Sequence, residues 1–64
     1  MEEIDVWRTA ALLLKEHGDG AALQAARHMV AMIERGDLQG EAVWKRVQHA
    51  ITTLQTRRPN GQPN

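Results

Sequence analysis

Placing residues about 100° apart from Glu3 to His17 sets Ile4, Val6, Trp7, Ala10, Ala11, Leu13 and Leu14 on one half of a cylinder. Asp5, Arg8, Thr9, Lys15 and Glu16 take the other half, so the segment predicts an amphipathic helix. From Ala21 to Arg35 the apolar side collects Ala22, Leu23, Ala25, Ala26, Met29, Val30, Met32 and Ile33, opposite Gln24, Arg27, His28, Ala31, Glu34 and Arg35. A third, narrower stripe of Val43, Trp44, Val47, Ala50, Ile51 and Leu54 runs from about Glu41 to Gln55. The third helix is therefore expected to bury less than its partners. Leu12 breaks the first pattern, because it falls in the middle of the polar face.

The predicted helices are separated by two near-repeats, Glu16-His17-Gly18-Asp19 and Glu34-Arg35-Gly36-Asp37. A glycine just past a helix end takes the left-handed conformation that closes the last turn. Asp readily accepts the first free N–H groups of the next helix. Each Gly-Asp thus reads as a stop followed by a start, and His17 and Arg35 place positive charge where the helix dipole favours it. Short connections make antiparallel neighbours. The expected fold is all-α, a small three-helix bundle running up-down-up over residues 1–56. The third helix starts either at Asp37 or near Glu41. The tail at 57–64 has two prolines, a glycine and no apolar residue, and is expected to be disordered.

Composition narrows the picture. Sixty-four residues suit one domain, in a size range where a single core leaves stability marginal. There is no cysteine, so disulfide staples and thiolate metal sites are ruled out, and packing or self-association must stabilise the chain. Eight basic and eight acidic residues cancel, which argues against the positive field of a non-specific nucleic-acid binder. The acidic start and the short apolar runs predict a cytoplasmic chain with no membrane association. With Phe and Tyr absent, Trp7 and Trp44 are the only Phe, Trp or Tyr rings. Frequent alanine and few β-branched residues suit closely packed helices better than sheet.

Few residues suggest chemistry. The Arg35-Gly36-Asp37 tripeptide matches an integrin-binding sequence, but a capped helix junction accounts for all three residues. Gly18-Asp19-Gly20 lacks the alternating oxygen ligands of a calcium loop and the lysine of a phosphate loop. No two of His17, His28 and His49 stand four residues apart, the spacing that puts two imidazoles on one metal. Serine is absent along with cysteine, removing the commonest nucleophiles. No enzyme activity, cofactor or metal is expected.

Two surfaces stand out. Leu12, with Arg8, Lys15 and Glu16 around it, is either a chance apolar residue on a charged face or a second contact surface; the edge around Trp44 is a further candidate. The third helix carries a local basic bias in Lys45, Arg46, Arg57 and Arg58, with His49 alongside, which could place side chains in a nucleic-acid groove. An ordinary solvated face with a basic helix end explains the same residues.

The order of Trp7, the Lys15–Gly18 segment KEHG, the alanine-rich second helix and RGDLQGEAVWKRV at Arg35–Val47 resembles a group of short uncharacterised proteobacterial proteins. The resemblance spans about residues 5 to 55 and rests mostly on turn and core positions. It implies a bacterial origin and a compact helical fold, and it supplies no active site. The expectation is a domain acting by non-covalent association, as a homodimer or as a helper of an unidentified larger protein. The alternative is a DNA- or RNA-binding module using the third helix.

Overall fold

A computed structural model describes residues 2–56 of the chain. Its elements are α1 (Glu3–His17), a 3-10 turn (Gly18–Gly20), α2 (Ala21–Glu34) and α3 (Leu38–Thr56), with no strand among the described residues. The 3-10 turn follows α1 directly and leads directly into α2, with no intervening coil residue. Helical residues thus follow one another in two stretches, Glu3 to Glu34 and Leu38 to Thr56, rather than the three separate ones expected, and the first stretch folds back on itself at Gly18, whose φ is 56°. The expected tail at 57–64 lies outside the described residues.

The two Gly-Asp junctions are built differently. Gly36 has φ 72°, and its N–H donates to the carbonyl of Ile33 at 3.0 Å while that of Asp37 donates to Met32 at 2.9 Å. This reciprocal pair ends α2 through a left-handed glycine, as the sequence predicts. Asp37 then opens α3: its Oδ1 accepts the Gly40 N–H at 2.8 Å, and its carbonyl accepts the Glu41 N–H at 2.9 Å. One residue thus closes one helix and caps the next, and of the two expected starts the earlier holds. Gly40 lets two side chains approach closely: a Cβ on it would come within 2.5 Å of the Met32 sulfur and 2.7 Å of Asp37 Oδ2, so both side chains would have to shift.

At the first junction Gly18 has φ 56° and ψ −123°, outside the left-handed helical basin, and its N–H donates to the Leu14 carbonyl. Asp19 sits inside the 3-10 turn, and α2 has Gly20 as its N-cap with no side-chain cap bond. The expectation that Asp19 caps the second helix is corrected. The tight turn carries the chain directly into α2, leaving Asp19 one position too early to reach the first free N–H groups.

The fully buried residues are Val6 and Ala10 of α1, Ala21 and Ala25 of α2, and Val47, Ala50 and Ile51 of α3. Alanines at these contacts let helix backbones approach closely. α3 is the element on which both others pack. His28 meets Trp44 and Met32 lies at Gly40, so α2 and α3 run in opposite directions. Glu3 pairs with Arg46, and Ala11 and Leu14 share a cleft with Leu54, so α1 and α3 run the same way.

Two expectations about burial fail. The third helix does not bury less than the others: it supplies two of the three largest fully buried side chains, Ile51 and Val47. Ile4, Ala11, Leu23, Val30 and Ile33 lie on predicted apolar sides yet are exposed. The reason is geometric. An apolar half-cylinder is wider than the strip one neighbouring helix covers, and α1 and α2 each pack chiefly on α3. Met29 and Met32 are partly buried. No described helix is long and apolar enough to cross a membrane.

Candidate functional site

The N-terminal half of α1 and the middle of α3 enclose a groove of about 350 Å³ lined by Glu3, Val6, Trp7, Lys45, Arg46, His49 and Ala50. Val6 and Ala50 form an apolar floor, and the charged groups stand at the rim. Glu3 organises that rim. Its Oε2 accepts a hydrogen bond from the Trp7 indole N–H at 3.1 Å, one helical turn on, and its Oε1 pairs with the Arg46 guanidinium across the groove. Both carboxylate oxygens are thus engaged. The pair is half or more exposed on each side, and such a pair contributes about 0–1 kcal/mol.

The basic residues predicted on the third helix are therefore brought together only in part. Lys45, Arg46 and His49 line one groove, but Arg46 is neutralised by Glu3. Thr52 donates its hydroxyl to the Gln48 carbonyl at 3.2 Å and Thr56 to the Thr52 carbonyl at 2.7 Å, directing those donors into the helix's own backbone. Arg57 and Arg58 lie outside the described residues. Among the described residues, no group of three His, Asp or Glu side chains is placed to hold a metal ion.

Arg8, Leu12, Lys15 and Glu16 are all exposed on α1, and Leu12 keeps 52% of its surface open. They occupy the side of the helix turned away from Val6 and Ala10. Lys15 also borders a second cleft of about 360 Å³ with Ala11, Leu14 and Leu54. Trp44 does not join this surface. It is half-buried against the core, and its ring stacks on His28 with centroids 4.2 Å apart and planes 13° from parallel.

A further surface was missed by treating every apolar residue of the second helix as core. Leu23, Val30 and Ile33 retain 55%, 47% and 50% of their surface, and Leu38 retains 77%. The available signal was the breadth of the apolar side of α2. With Ile4 and Leu12, these make six large exposed apolar side chains against three fully buried ones, Val6, Val47 and Ile51. Comparison of the chain with family models, curated proteins and solved structures finds no match.

Proposed function

We propose that this chain is a small protein-association domain of the bacterial cytoplasm, working by non-covalent contact as a homodimer or as a helper of a larger protein. In this reading α1, α2 and α3 act together as an up-down-up three-helix bundle with no catalytic role. One observation supports it above the rest: more large apolar side chains are exposed than are fully buried. Exposed apolar surface of this kind on a small chain suits contact with a partner, and burial between chains adds the margin that a core this small lacks. Candidate contacts are the Arg8, Leu12, Lys15 and Glu16 side of α1, the edge at Trp44, and the exposed side of α2.

Photo-crosslinking inside the cell tests the reading. A photoreactive residue at position 12 or position 30 should give one discrete adduct, either a dimer or a single heavier species. Absence of a discrete adduct from both positions would overturn it. The second reading, nucleic-acid binding through α3, is favoured by the gathering of Lys45, Arg46 and His49 at one groove. It requires affinity that falls steeply with salt and is lost in Arg46→Glu. Equal binding by that variant would remove it.

A further inference from the structure

Leu23, Ala26, Val30 and Ile33 stand at spacings of three, four and three along α2. That is the alternation by which one helix presents a seam to another helix. At about 100° per residue the seam is centred about 140° around α2 from Ala21 and Ala25, the residues it buries. The seam therefore faces away from α3, and Leu23, Val30 and Ile33 on it are half-exposed. Its two flanks differ. Ala22 and Met29 lie on one side, and Arg27 and Glu34, both exposed, lie in one row on the other. Glu3–Arg46 is the ion pair among the described residues, and neither Arg27 nor Glu34 has an ionic partner among them.

We infer that this face pairs with the same face of a second copy, the two α2 helices antiparallel about a two-fold axis between Val30 and Ala31. The inference rests on the association reading and specifies its surface and occupant. Charge decides the direction. In an antiparallel pair each flanking row meets its own reverse, so Arg27 of each copy lies opposite Glu34 of the other and both charges are matched. In a parallel pair the charged row would meet Ala22 and Met29, leaving all four charges unmet. The charge match also fixes the register: positions 27 and 34 sum to 61, which places positions 30 and 31 at the axis. The seam from Leu23 to Ile33 is only about 15 Å long at 1.5 Å per residue, so the dimer should be reversible and weak, in the micromolar range or above.

Sedimentation equilibrium of the full chain, from about micromolar to about millimolar protein, tests the inference. Wild type should pass reversibly from monomer to dimer, and Val30→Glu should remain monomeric with its helical circular dichroism intact. Arg27→Glu should weaken the dimer about fivefold, because it sets like charges opposite each other twice, and Arg27→Glu with Glu34→Arg should restore it. A strict monomer across the range would overturn the inference while leaving a role as helper to another protein, which the crosslinking experiment reads separately. A dimer indifferent to Val30→Glu but lost in Leu12→Glu would also overturn it, moving the contact to α1. Should Val30→Glu fold poorly, the charge exchange still decides: no rescue by the double variant means that this antiparallel pairing is wrong.

Discussion

The imidazole of His28 on α2 lies almost flat on the indole of Trp44 on α3, with ring centroids 4.2 Å apart and planes 13° from parallel. This contact and the approach of Met32 to Gly40 set the antiparallel register of the two helices. Stacked rings contribute about 0.5–1.5 kcal/mol beyond the area they bury. His28→Ala should therefore lower unfolding stability by about 1 kcal/mol, with His28→Phe recovering most of the loss. Trp44 should report the same change: in a Trp7→Phe background, removal of His28 should shift the remaining emission. Unchanged emission would mean that the stack is not populated in solution.

The two Gly-Asp junctions look alike in sequence and should respond differently to mutation. Asp37→Ala removes the acceptor of the Gly40 N–H and should cost about 1 kcal/mol in a denaturant titration. Asp19→Ala removes no cap and should stay within about 0.5 kcal/mol of wild type. Equal losses at both positions would contradict the asymmetry of the two turns.

The glycines that precede these aspartates give a sharper contrast. Both have positive φ, so Gly18→Ala and Gly36→Ala should each cost about 1 kcal/mol or more. Asn tolerates the left-handed helical basin, where Gly36 ends α2, and Gly36→Asn should recover part of the loss. Gly18→Asn should recover little, because ψ −123° lies outside that basin. Thermal unfolding of the four variants checks the pattern, and full rescue of Gly18 by Asn would refute it.

Periodicity located the helices well. The predicted span of α1 agrees with Glu3–His17, the second helix ends within a residue of expectation, and Asp37 was one of two proposed starts for α3. Val47, Ala50 and Ile51 lie on the apolar stripe of the third helix and are buried. Leu12 falls on the polar face of the first helix and is exposed. These features are local. A wheel of side chains, a left-handed glycine and a capping carboxylate each depend on a few neighbouring residues.

The sequence by itself thus determined an all-helical chain, the positions of its turns and the apolar sides available for packing. Tertiary structure alone decided how those sides were used: α3 became the shared partner, Val6 and Ala25 were covered, and Leu23, Val30 and Ile33 were left open. It also joined Glu3 to Arg46 and His28 to Trp44 across long stretches of chain. The physical reason is that periodicity records which face of a helix is apolar, whereas burial depends on how many neighbours reach that face. With α1 and α2 both packed chiefly on α3, each had more apolar surface than a single partner could cover.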